Sequence, residues 1–149
     1  MNEEVENILH RENIQLASIS KRSVAFFIDE MLLSFLLIIV LWDSFVNAQT
    51  IEALIEVTNS FVIEYIIMKI LYQTFFLMQY GATLGKIAMK IRVITIASLE
   101  NPIFTVAFNR AIFRVISELL FYLGFLWAMF DPARQGWHDK TAKTLVVNV

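Results

Sequence analysis

Residues 24–42 read VAFFIDEMLLSFLLIIVLW, and this stretch decides the class of fold. Apart from Asp29, Glu30 and Ser34 it is apolar or aromatic throughout. A helix over it, rising about 1.5 Å per residue, matches roughly 30 Å of hydrocarbon. Two more stretches share its character: residues 61–80, which carry Glu64, Lys69 and Gln73, and residues 111–130, which carry Arg114, Ser117 and Glu118. In a chain of 149 residues, three such stretches leave too few polar positions to clothe a soluble bundle. The whole chain is 58% hydrophobic and only 17% charged, which excludes a disordered chain. A formal charge of −2 without a basic excess argues against nucleic acid as a partner. The absence of cysteine removes disulfides, thiolate metal sites and cysteine nucleophiles. The expected fold is an all-α integral membrane protein. It has two full transmembrane helices, a third crossing or a re-entrant hairpin over 111–130, and a short cytoplasmic strand pair.

Lysine and arginine set the expected orientation. Arg11, Lys21 and Arg22 precede the first span, whereas the connection 43–60 has neither residue type and holds Asp43, Glu52 and Glu56. The connection 81–110 carries Lys86, Lys90, Arg92 and Arg110. The N-terminus is therefore expected in the cytoplasm, with the first connection outside and the second inside. Arg134, Lys140 and Lys143 favour a cytoplasmic C-terminus as well. Residues 89–96 (MKIRVITI) and 143–149 (KTLVVNV) read as short strands, and they can pair only on one side of the membrane. Residues 1–20 form a separate amphipathic segment before the membrane domain of 21–149. Val5, Ile8, Leu9, Leu16 and Ile19 share a face there, which reads as a helix on the membrane surface or as a solvated tail. The first apolar run starts too late, and holds too many acids, for a signal peptide. In the outer connection Ile51, Leu54, Ile55 and Thr58 share one face of a short amphipathic helix.

Charge inside a span is expensive and needs a reason. Asp29 lies about 7.5 Å below the cytoplasmic boundary and Arg114 about 5 Å below it, by helical rise. The two are expected to pair, which makes Arg114 more critical to stability than Arg110. Lys69 is the deepest charge. It lies about 140° around its helix from Glu64, so Glu118 is its expected partner. Glu64 is shallow enough to snorkel into the outer interface. Arg110, Arg114 and Glu118 make one polar stripe along their helix. Asp29, Glu30, Glu64 and Glu118 outnumber Lys69 and Arg114, a surplus of acid that suits ion handling or a wet vestibule.

Three strings remain: KRSVAFFIDEMLL at 21–33, YGATLGKIAMKIRVI at 80–94, and FDPARQGWHDKTAKTLVV at 130–147. In this order and spacing they resemble the RDD family of bacterial membrane proteins, named for one arginine and two aspartates. The resemblance spans Lys21 to Val147. It assigns the arginine to Arg22 and the first aspartate to Asp29. The second aspartate is best matched by Asp139, and Asp131 is the weaker match. It implies a multi-pass protein of the bacterial cytoplasmic membrane, and cation/proton exchange as an activity. The residues themselves leave two functions open. One is a cation or proton transporter, or a subunit of one, with Asp29 as its carboxylate, Arg22 as gate and Asp139 as a second site. The other is a non-catalytic scaffold or interaction subunit in which Arg22, Asp29 and Asp139 lock the tail beneath the first span. Two or three spans enclose no pathway alone, so the expected partners are the lipid bilayer together with further copies or another membrane protein. His138 and Asp139 are chain neighbours with no nucleophile motif beside them, GATLGK reads as a turn, and the two histidines are far apart. No enzyme activity, metal site or cofactor is expected.

Overall fold

The computed structural model describes residues 3–149. Helix α1 covers Glu3–Arg11. Helix α2, Ile19–Val40, begins where the Ser18 side chain accepts the Lys21 N–H at 3.3 Å. This cap starts the helix ahead of the apolar stretch, and at about 1.5 Å per residue α2 is about 33 Å long. Only one stripe of it is buried, Ala25, Asp29 and Leu33, at four-residue intervals. Phe27, Met31, Phe35 and Ile39 stay exposed, as lipid-facing side chains would.

Helices α3 (Trp42–Asn47) and α4 (Ile51–Ser60) bury no residue. Helix α5, Val62–Tyr80, follows α4 with a 50° bend. It ends at Gly81, whose φ of +66° suits a residue without a side chain, and whose N–H closes on the Leu77 carbonyl at 3.0 Å. Then come α6 (Leu84–Ala88), strand β1 (Ile91–Thr95) and α7 (Phe104–Leu119). Helix α8 (Leu123–Phe130), α9 (Trp137–Thr141) and strand β2 (Thr144–Asn148) complete the chain.

The stretch 111–130 is not one helix. Helix α7 starts earlier, at Phe104, and α8 leaves it at 102°. Phe121 and Tyr122 hold positive φ at the corner, and the Tyr122 N–H bonds the Ser117 carbonyl at 2.8 Å. Gly124 makes the corner possible, because a Cβ there would overlap the Ser117 side chain. Among the described residues α2 is the one helix long and apolar enough to cross a membrane, and the bent pairs α4–α5 and α7–α8 bring the candidates to three.

Strands β1 and β2 pair antiparallel, with Val93 opposite Val146 and Thr95 opposite Thr144. The two segments read as strands in the sequence thus meet. Leu16 adds a bridge to Val147. One face of this sheet packs with Ala25, Leu77 and Ala107 of the helices and with Ala17 just ahead of α2. The other gathers Val5, Leu9, Ile14 and Leu16 over Ile94, Leu145 and Val147. The apolar face of α1 is therefore covered by the sheet rather than by a lipid surface. Burying it there removes apolar area from water within the fold itself.

Candidate functional site

The buried charges of this protein fall into three groups, each tying different helices together. The first centres on Asp139, which is fully buried. Helix α9 opens at Gly136, and the Asp139 carboxylate caps it by accepting the Gly136 N–H at 2.9 Å. Arg22 from the first turns of α2 and Arg110 from α7 both reach this carboxylate, Arg110 at 2.6 Å. Arg22 also donates to the Arg134 carbonyl, and Arg110 donates to the Thr144 hydroxyl at 2.9 Å. Burial alone would raise the Asp139 carboxyl, but Arg110 and Arg22 outweigh it and hold it well below the usual carboxylate range. Burial keeps the neighbouring His138 ring well below its ordinary value, hence neutral near pH 7.

The second group centres on Asp29, which is 1% exposed. Its Oδ1 accepts from the Tyr72 hydroxyl at 2.8 Å and the Gly85 N–H at 2.8 Å, and its Oδ2 accepts from the Thr83 hydroxyl at 2.6 Å. Gly85 is required for this approach, because a Cβ on it would overlap the Ala25 carbonyl oxygen of α2. Thr83 in turn accepts from Lys86 at 3.3 Å. Burial pushes the Lys86 ammonium down to about 7, and the charge of Arg114 adds to the effect.

The third group is a quartet between α2, α5 and α7. Lys69 pairs with Glu30 at 2.8 Å and with Glu118. Arg114 lies 3.4 Å from Glu118 and 3.9 Å from Glu30. With its amide oriented by its neighbours, the Gln73 oxygen accepts from Arg114 Nη1 and Nε at 2.8 and 2.9 Å. Tyr65 donates to Glu30 at 3.2 Å. Two acids and two bases balance, as charges in a low dielectric must.

Several sequence expectations need correction. Asp29 does not pair with Arg114, because the turn after α5 reaches Asp29 first with neutral donors. Arg22 reaches Asp139. Lys69 does meet Glu118, but shares it with Arg114 and leans equally on Glu30. Glu30 was assigned no partner in the sequence, although its place beside Asp29 turns it about 100° around α2, toward α5. Arg110 is as deeply buried as Arg114, so the ranking of the two by depth falls. Glu64 is exposed. Asp131 sits apart, held by Lys140 at 2.5 Å and the Gln135 N–H at 3.1 Å. Burial would raise its carboxyl, and these donors bring it below its ordinary value. Tyr72, Gln73, Thr83 and Gly85 were not singled out as site residues. A threonine and glycine two residues apart, just past a span and ahead of a helix, were the available signal. Residues outside the spans add to the balance: among the described residues Arg22, Lys86, Arg110 and Asp139 join Lys69, Arg114, Asp29, Glu30 and Glu118 in the three groups. No group of three or more His, Asp or Glu residues among the described residues is arranged to hold a metal ion.

The model of a family described as the RDD family matches residues 16–143. No curated protein and no solved structure matches the chain.

Proposed function

The chain belongs to the RDD family, and on that footing we propose that it is a non-catalytic membrane scaffold or interaction module. In this reading Arg22, Asp29 and Asp139 lock a cytoplasmic cap onto the bundle. The observation that carries the reading is the coordination of Asp29. Each of its oxygens accepts a hydrogen bond, all from neutral donors, so it fastens the 81–85 turn and α5 to α2. Asp139 does the same for α9, α2 and α7 with two guanidiniums. The membrane in question is the bacterial cytoplasmic membrane, with both termini on its inner side. Pairing of β1 with β2, and of Leu16 with Val147, supports a common side for the two ends. Partners are further copies or another membrane protein, which α3 and the unburied α4 are free to meet.

One observation favours a second reading, a proton-coupled transporter or a subunit of one. Lys86, near neutrality at about 7, is linked to Asp29 through the Thr83 hydroxyl, as a short relay would require. The substitution Asp29→Asn separates the two. An amide keeps the shape but replaces one oxygen with an NH2 group, which faces either the Thr83 hydroxyl or the Tyr72 hydroxyl and the Gly85 N–H, and it removes the charge. The lock reading expects less folded protein and a lower Tm. Normal accumulation with abolished proton-coupled flux in proteoliposomes would establish transport in its place.

A further inference from the structure

Helices α2, α6, α7, α8 and α9 enclose a cavity of about 170 Å³. Arg22, Lys86, Arg110 and Arg114 line it, and no carboxylate does. The counter-ions of these bases lie outside the lining: Asp139 holds Arg22 and Arg110, Glu118 and Glu30 hold Arg114, and Lys86 reaches Asp29 only through Thr83. Two buried polar atoms of lining residues have no hydrogen-bond partner, Nη2 of Arg114 and Nδ1 of His138. Arg114 is 4% exposed and His138 2%. Glu30 lies 3.9 Å from Arg114 Nη2, beyond hydrogen-bond distance, and Nδ1 of His138 has no partner among the described residues, so both atoms have room for a closer acceptor. His138 Nε2 lies 3.6 Å from Asp139, too far for a hydrogen bond, so the ring is free to carry its proton on Nδ1 and offer it to a ligand.

The rest of the wall is aromatic. Phe26 and Phe125 flank the Arg114 guanidinium at 4.8 and 5.9 Å from their ring centres, and Tyr122 stands beside them. On α8, the helix that supplies Phe125, Leu126, Trp127, Met129 and Phe130 are exposed. A cationic recess therefore opens next to an apolar surface. At roughly 30 Å³ per water the space equals five or six waters, and it falls short of the roughly 300 Å³ that a drug-sized ligand requires. Guanidinium forks match the paired oxygens of a phosphate better than a spherical halide.

We propose that this cavity is a binding site for a phosphate group, mono- or diester, with Arg22, Lys86, Arg110 and Arg114 as its donors. The lock reading does not underlie this proposal, because the lock is made by the carboxylates and the phosphate meets the remaining faces of the bases. The group can be the head of an anionic phospholipid whose chains lie along α8, or a free phosphate from the cytoplasm.

Calorimetric titration of the purified chain in neutral detergent at pH 7 tests it, with dioctanoyl phosphatidylglycerol, dioctanoyl phosphatidylcholine and inorganic phosphate as probes. Saturable one-site binding is expected for phosphatidylglycerol or for inorganic phosphate. Phosphatidylcholine should bind more weakly, because its ammonium meets the same four bases. Binding of phosphatidylglycerol alone identifies the lipid headgroup as the source; binding of inorganic phosphate, in competition with the lipid, identifies the free anion. Lys86→Gln should weaken Kd about tenfold or more, the loss of one charged hydrogen bond. Ser23→Leu, on the exposed rim and away from every ion pair, should block entry without lowering Tm. The proposal is overturned if neither anionic probe binds saturably, if phosphatidylcholine binds as well as phosphatidylglycerol, or if both variants, folded by their Tm, bind as the unaltered chain does.

Discussion

Lys86 carries the most direct test of the buried charge network. The residue is 8% exposed, and among the described residues its ammonium donates a hydrogen bond to Thr83 alone. Burial moves it from the ordinary 10.5 to about 7. In the unfolded chain Lys86 keeps its proton up to about pH 10.5, whereas in the folded chain it loses it above about pH 7. Between these values the unfolded state binds more protons, so stability rises with pH across that window. Below pH 7 both states are protonated, and the cost of burying the charge is borne in full. At about 1.4 kcal/mol per pH unit the window corresponds to at most about 5 kcal/mol, and relaxation of the site reduces what is realised. Lys86→Met removes the titrating group and leaves the three hydrogen bonds of Asp29 in place. Unfolding free energies of both proteins, measured in neutral detergent from pH 6 to pH 10, should therefore diverge. The unaltered chain gains several kcal/mol on the way up, relative to the variant. All other titrating groups are common to the two and cancel in the difference. Parallel curves, agreeing within about 1 kcal/mol across the range, would refute the burial of a charged lysine at this position.

Arg110→Ala and Arg114→Ala should each cost about 3–5 kcal/mol in thermal or denaturant unfolding, because each strands buried carboxylates. An exposed-pair value below about 1 kcal/mol for either would contradict its ion pairs. Replacing both Lys69 and Glu118 with leucine should cost clearly less than the sum of the single changes, since Glu30 and Arg114 remain as a balanced pair; additivity in a double-mutant cycle would deny the contact. Gly85→Ala should lower stability by about 3 kcal/mol or more through overlap with the Ala25 carbonyl, read as lost Tm. His138 is depressed by burial, so the unfolded chain takes up its proton first as the pH falls below about 6.5 and the folded state loses stability there. His138→Leu should flatten the fall in Tm between pH 7 and pH 5, and an unchanged fall would argue against a neutral buried ring.

The apolar runs and their lengths were legible because hydrophobic burial acts locally, residue by residue. The strand segments were legible as well, since alternation and β-branched residues mark them before any partner is known. What could not be read was the choice among partners. Helical rise along a span places Asp29 and Arg114 near one level and suggests a pair. It could not tell that the turn at 81–85 folds back beneath α2 and delivers two neutral donors to Asp29, with Tyr72 of α5 as a third. That outcome depends on Gly85 approaching Ala25, a contact between residues far apart in the chain. The break in 111–130 was legible as the hairpin alternative, but the place of the corner at 120–122 was not. A long apolar run reads as one straight crossing unless the pairing of Ser117 with Gly124 across the bend is known.

The three charge groups have one physical consequence in common. Each joins segments that the chain contributes at widely separated positions: Arg22 with Asp139, Asp29 with Thr83 and Gly85, Lys69 with Glu118. None of these groups is stable alone in a low-dielectric interior, since removing one partner leaves a charge that neither water nor lipid can solvate. The helices of the bundle and the cap of α6, α9 and the strand pair are thus coupled, and partial opening at one group exposes the next. Lys86 and Arg114 belong to this network and also line the cavity between α2, α7 and α8. An anion binding there would offset the charge of the lining bases and stabilise the folded state by mass action.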